Sequence, residues 1–171
     1  MAFFFVIFLT SAYGGWDPRG REEEERAVKD TISLILSIDP SLQIYFDKAY
    51  AYAVLPSVGK GAFIGGVGYG RGWFFENGKA IGKVSIVQLS IGAQIGGQAY
   101  REIVFFSDKD RSDDFKNDRF EMGAQISAIA VTEGVGKAGT YTNGVAVFIL
   151  PKAGFMAEAS VSGQRFSFEP F

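Results

Sequence analysis

The chain has 171 residues, 47% of them hydrophobic and 17 of them Phe, enough to bury one core of ordinary size. Its 17 basic and 19 acidic residues leave a formal net charge of -2, so no global basic field draws it to nucleic acid. It contains neither Cys nor His, which excludes Cys-His and Ser-His-Asp nucleophilic catalysis, disulfides, and zinc sites built on thiolate or imidazole; no metal and no cofactor is expected.

Met1 to Leu9, MAFFFVIFL, is intensely apolar but too short to span a bilayer, and the small residues Ala12 and Gly14 suit signal-peptidase cleavage after Gly14. Residues 1–14 are therefore expected to be a secretion signal, which places the protein outside the cytoplasm, in the periplasm or cell envelope. The competing reading is a buried N-terminal strand. Residues 15–171 read as one domain, helical over about 22–50 and β-rich over about 51–171.

In the helical part, Glu22 to Glu25 precede Ala27, Val28, Ile32, Ile35 and Leu36, apolar positions at helical spacing. Acidic residues at the start of such a helix face its positive dipole end. Asp39-Pro40 then supplies a cap and a proline at the first helical position, opening a second helix from Ser41 to about Ala49. From Ala51 the period changes to two and glycine becomes frequent, the pattern of antiparallel strands.

The run from Ala62 to Phe74 puts Phe63, Val67, Tyr69 and Trp73 on one strand face and Gly66, Gly68, Gly70 and Gly72 on the other. Glycine inside a strand marks a bend, a bulge or close backbone approach, so these four predict a layer packed tightly against that side. Glu76-Asn77-Gly78-Lys79 and Thr142-Asn143-Gly144 predict tight hairpins, because Asn-Gly accepts positive φ at both central positions. A third reversal at Pro151-Lys152-Ala153-Gly154 would pair Val145–Leu150 with Phe155–Gly163.

A phrase recurs at Gly92-Ala93-Gln94-Ile95 and Gly123-Ala124-Gln125-Ile126, with an echo at Met156-Ala157-Glu158-Ala159, each in strand-like alternation. The second predicts a strand with Phe120, Met122, Ala124, Ile126, Ala128 and Ala130 on its apolar face. In the last strand Phe166 and Phe168 face the core only if a bulge intervenes near Gly163. Between the first two copies, Ser107 to Arg119 holds five aspartates, yet it lacks the glycine and terminal glutamate of an EF-hand loop; a short surface helix is expected instead. The fold class is thus α+β: an N-terminal helical pair packed on a strongly bent, barrel-like antiparallel sheet.

Gly59 to Gly72 matches neither G-x-G-x-x-G nor G-x-x-x-x-G-K-[ST] in register, so nucleotide binding by those devices is not expected. Lys60, Arg71, Lys79 and Lys83 lie at or near the ends of the Gly-rich hairpin, where a few cations and exposed N–H groups could hold a phosphate headgroup; scattered solubilising charge is the alternative. Glu102, Glu133 and Glu158 are the candidates for a carboxylate pair of the hydrolase kind, but no spacing forces two of them together, and no catalytic residue is assigned.

Several ordered motifs, Ala51 to Gly61 with the Gly-rich hairpin, GAQIGGQAYREIVFF (Gly92–Phe106), FEMGAQISAIAVTEG (Phe120–Gly134) and VAVFILPKAGFMAEASVSGQRFSF (Val145–Phe168), resemble the SYLF domain family from about Glu24 onward. The resemblance implies a noncatalytic lipid-binding module. Eukaryotic relatives bind phosphoinositides, aided by a basic amphipathic N-terminal helix, and some yeast relatives bind actin filaments. Here that segment carries Glu22 to Glu25, so an attraction of roughly 1 kcal/mol per basic residue near an anionic surface is largely missing. An exported protein would meet neither phosphoinositides nor actin. The implied partner is phospholipid or another amphiphile, held through Lys60, Arg71, Lys79 and Lys83. A structural or protein-interaction domain with an envelope protein partner is the alternative.

Overall fold

A computed structural model describes residues 18–59, 68–88, 99–123, 125–152 and 164–171. The 1–14 segment, the first and third copies of the recurring phrase, Ala124, Lys60 and Gly66 lie outside them. A long helix α1 (Pro18–Ile38) is followed by a 3-10 turn (Pro40–Leu42) and a short helix α2 (Gln43–Lys48). The strands are β1 (Ala51–Val58), β2 (Gly68–Glu76), β3 (Lys79–Gln88), β4 (Tyr100–Phe106), β5 (Ala128–Ala130), β6 (Val145–Pro151) and β7 (Gln164–Pro170). Helix α3 (Lys109–Lys116) lies between β4 and β5, and α4 (Val135–Ala138) between β5 and β6.

The second helix differs from expectation by starting as a 3-10 turn. Asp39 caps it, its carboxylate accepting from the Ser41 N–H at 3.1 Å and the Ser41 hydroxyl at 2.6 Å, as the Asp-Pro signal implies. The same carboxylate reaches across the chain to the Gly136 N–H at 2.7 Å, tying α4 to this turn. Burial works against the charge on Asp39, but the hydrogen bonds from Ser41 and Gly136 win and hold its carboxyl below the ordinary value.

The strands form one mixed sheet in the order β5-β6-β4-β1-β2-β3-β7, antiparallel except for the β5–β6 pair. Both Asn-Gly turns have the expected positive φ, 52° and 77° at Asn77 and Gly78, 51° and 77° at Asn143 and Gly144. The sheet is strongly bent. Gln164 on β7 and Glu102 on β4 stand four strand positions apart, about 19 Å in a flat sheet, yet the Gln164 amide reaches the Glu102 carboxyl at 3.3 Å.

It is not a closed barrel, contrary to expectation. β5 and β7 end the strand order, and no ladder joins them among the described residues. The physical reason is the segment expected as a long strand from Phe120 to Ala130. It makes one isolated bridge to β7, Glu121 with Arg165, and then pairs with β6 only over Ala128–Ala130. Its buried Met122 and Ile126 still contribute to the core. The Phe155–Gly163 pairing falls outside the described residues, and β6 already has β4 on one flank and β5 on the other at Val147–Ile149.

Two apolar clusters result. On the concave side Leu55, Phe74, Ile86, Val104, Phe106, Val147 and Phe166 pack with Phe115 of α3, whose ring stacks on Phe74 with centroids 4.6 Å apart. On the convex side Val28, Ile35, Leu42 and Tyr45 of the helices cover Tyr52, Val54, Trp73, Phe105 and Phe148. Four of the five aspartates around the expected surface helix α3 are engaged as cap, ion-pair or hydrogen-bond groups. Asp108 accepts from the Arg111 N–H at 2.9 Å, Asp113 pairs with Lys109 and Lys116, Asp114 with Arg111, and Asp118 accepts from the Phe168 N–H.

The glycine face of β2 lies against the neighbouring strand. Gly70 and Gly72 point to the concave side, where the close neighbour is the adjacent strand rather than a second layer. β1 bulges at Leu55-Pro56, since Val54 pairs with Trp73 and Ser57 with Arg71, so two residues oppose Gly72. A Cβ on Gly72 would lie 1.8 Å from the Val54 carbonyl oxygen. The proline has no N–H to give to the ladder, which favours a bulge at this point. One consequence is that Leu55 and Val58, three residues apart, both face the concave core.

Candidate functional site

The convex side is covered unevenly. Helix α1 buries the middle of the sheet under Val28 and Ile35, while toward β3 and β7 its polar N-terminal half leaves a groove of about 410 Å³. Its floor is the cross-strand pair Ser85 and Ser167, flanked by Lys83 and Glu169, also directly paired. Tyr69 and Arg71 of β2 form one wall and Glu24 of α1 overhangs it.

Period-two alternation explains why these residues meet. On β2 the odd positions Tyr69, Arg71 and Trp73 face the convex side, and in register Arg71 opposes Ser85 while Trp73 opposes Lys83. Arg71 and Lys83 are therefore diagonal neighbours, about 7 Å apart at the strand surface. The helix is held over them by Glu24, whose carboxylate accepts from the Trp73 indole N–H at 3.2 Å and sits 3.4 Å from the Lys83 ammonium. Beyond it, the Arg21 guanidinium lies 4.1 Å over the Phe171 ring, and Phe171 meets Trp73 edge-on at 4.9 Å.

Of the four cations singled out from the sequence, Arg71 and Lys83 thus share the groove. Arg71 donates from Nε to the Tyr69 hydroxyl at 2.9 Å and makes no ion pair among the described residues. Lys79 stands at the exposed tip of the β2–β3 hairpin and does not line it. Of the four glycines, Gly70 and Gly72 have the β1 backbone close against them, and Gly68 begins β2 as a buried residue.

The groove also contains residues that reading the chain did not select. Glu24 comes from the acidic run that the sequence assigns only to the helix dipole, and Ser85, Ser167 and Glu169 come from strands far apart in sequence. The polar alternation Lys83-Ser85 and Ser167-Glu169 is the signal that marked a half-exposed face. The candidate carboxylates are not assembled: Glu102 is fully buried in the concave interior, Glu133 is exposed before α4, and Glu158 lies outside the described residues.

Chemically, the groove presents two cationic donors and two hydroxyls beside two carboxylates. A phosphate could accept from Arg71, Lys83 and the serines, while Glu24 and Glu169 favour a cationic group alongside it. No helix of the described residues is long and apolar enough to cross a membrane.

Comparison with known proteins places the matched region on the β-rich part. Residues 87–170, from the end of β3 to the end of β7, match the family described as Ysc84: Las17-binding protein actin regulator. Beta cell expansion factor A of Aeromonas veronii is 28% identical over 130 residues, 74% of this chain and 49% of that protein. The chain spans about half the length of that relative. Residues 87–170 thus carry the match to the Ysc84, or SYLF, domain, the family that the motifs quoted above resemble.

Proposed function

We propose that this domain is a noncatalytic binding module for phospholipid headgroups at a membrane surface of the cell envelope, with the convex groove as its site. The observation that carries the reading is the convergence of Arg71 and Lys83 in one groove over a serine floor. The two carboxylates beside them favour a headgroup bearing both phosphate and amine over a purely anionic one. Placement in the envelope rests on the apolar Met1–Leu9 stretch.

Co-sedimentation with phosphatidylethanolamine–phosphatidylcholine vesicles, and with vesicles enriched in phosphatidylglycerol, tests this. The protein is expected to sediment with the zwitterionic vesicles, and the Arg71→Gln/Lys83→Gln double variant to bind them at least tenfold more weakly. No sedimentation with either vesicle, or an unchanged double variant, overturns the reading.

A second reading is a protein-interaction domain, favoured by the family description, which names Las17 binding and actin regulation for its members. Recovery of one stoichiometric protein partner with no co-purified lipid would support it over the first.

A further inference from the structure

Fully buried carboxyls need partners, and the concave interior holds one that is incompletely supplied. Glu102 on β4 has no solvent exposure. Its Oε2 accepts from the Gln164 amide at 3.3 Å, and that amide also donates to the Tyr100 hydroxyl at 3.2 Å. Its Oε1 has no hydrogen-bond partner among the described residues. A buried polar atom left this way carries a desolvation penalty, and for a carboxylate the penalty is far larger than for the neutral acid.

Among the described residues no opposite charge compensates it. Against Glu102, β1 presents Leu55 and Val58, β6 presents Ile149, and β7 presents Gln164 and Phe166. Among the described residues Tyr100 is the titratable group beside it, while Tyr50 and the Glu76–Lys116 ion pair lie at the α3 end; burial raises the Tyr100 hydroxyl well above the ordinary value, so it stays neutral. Arg101 and Arg165 occupy alternate positions of β4 and β7 and so belong to the convex side, where Arg165 pairs with the exposed Glu121.

Position gives this cluster mechanical meaning. Tyr100 and Gln164 are the first residues of β4 and β7, strands that are not neighbours in the sheet. The hydrogen bonds between them cross the concave interior at the end opposite α3, whose Phe115 fills the other end with stacked rings. One end of the interior is therefore tied by aromatic packing and the other by three polar side chains.

We infer that Tyr100, Glu102 and Gln164 form a proton-held latch between β4 and β7, closed while the Glu102 carboxyl keeps its proton and opened with release of that proton to solvent. Burial pushes the Glu102 carboxyl up to about 8, the Gln164 bond opposing the rise. In an opened state the group regains its ordinary value of 4.5. By linkage the opening constant then rises about tenfold per pH unit between those limits and levels off above the upper one.

The test is amide hydrogen exchange between pH 5 and pH 9, with protection corrected for intrinsic rates, at Tyr100–Ile103 and Gln164–Phe166. Protection there should fall about tenfold per unit up to about pH 8, and should not change in low urea, as local opening requires. Phe105 and Phe106, at the α3 end, should respond to urea. Glu102→Gln keeps the shape without the proton, so its protection at the same amides should be flat with pH. A flat wild type, an equal slope in E102Q, or a shared urea dependence at both ends overturns the latch. Should E102Q not fold, the Glu102 side-chain carbon resonance of the wild type decides: a midpoint near 8 is required and one near 4.5 refutes it.

Discussion

The two sides of the sheet bury charged and polar groups on opposite terms. On the convex side Glu24, Arg71 and Lys83 remain partly exposed, so water and opposite charges share the work of solvating them, and a ligand can take the place of that water. On the concave side Glu102 has lost water altogether and faces one amide and a hydroxyl. On the two proposals made above, the same residue type is a recognition group on one side and a conditional structural group on the other. Solvent access, more than residue identity, decides which.

The sharpest way to break this contrast is to disturb the strand that serves both sides. Gly72→Val would drive a side chain into the Val54 carbonyl, and because the obstacle is backbone the sheet must shift; a loss of about 3 kcal/mol or more is expected. Glu24→Ala, on the open side, should cost much less, since its partners remain solvated. Thermal melts of the two variants compare them directly, and similar midpoints would place Gly72 wrongly.

Next in size is the pH dependence of global stability. The native Glu102 carboxyl lies above its unfolded value, so between about 4.5 and about 8 the folded chain binds a proton that the unfolded chain releases. The unfolding free energy accordingly falls as pH rises through that window and is not further reduced by this group above it. Urea midpoints should drop from pH 5 to pH 8 in the wild type, and E102Q should show a smaller drop over the same range.

The smallest effect is expected at Lys79. At the hairpin tip it lies away from the groove, so Lys79→Gln should change vesicle binding less than twofold, whereas Arg71→Gln or Lys83→Gln alone should weaken it severalfold. A loss at Lys79 equal to that at Lys83 would favour diffuse surface charge over a defined site.

Much of the local structure was legible because local chemistry decides it. Asn77-Gly78 and Asn143-Gly144 adopt positive φ wherever they lie, Asp39 caps the turn that follows, and Val28, Ile32 and Ile35 form a helical stripe by spacing alone. The expected strand from Phe120 to Ala130 shows where this stops. Its alternation is real and buries Met122 and Ile126, but both flanks of a continuous strand there would need partners that the bent sheet does not supply over that length. The groove was half legible: Arg71 and Lys83 stood out as cations near a glycine-rich hairpin, while Ser167, Glu169 and Glu24 gave no sign of being beside them.

Residue order alone set the α+β division, the hairpins, the caps and the alternation that makes one face of β2 bare, since each depends on backbone preferences within a few residues. Which cations converge, whether the sheet closes, and what becomes of Glu102 depend on strand order and curvature. Those are collective properties: a carboxyl on β4 meets an amide on β7 only because seven strands bend together, and no short stretch of chain carries that information.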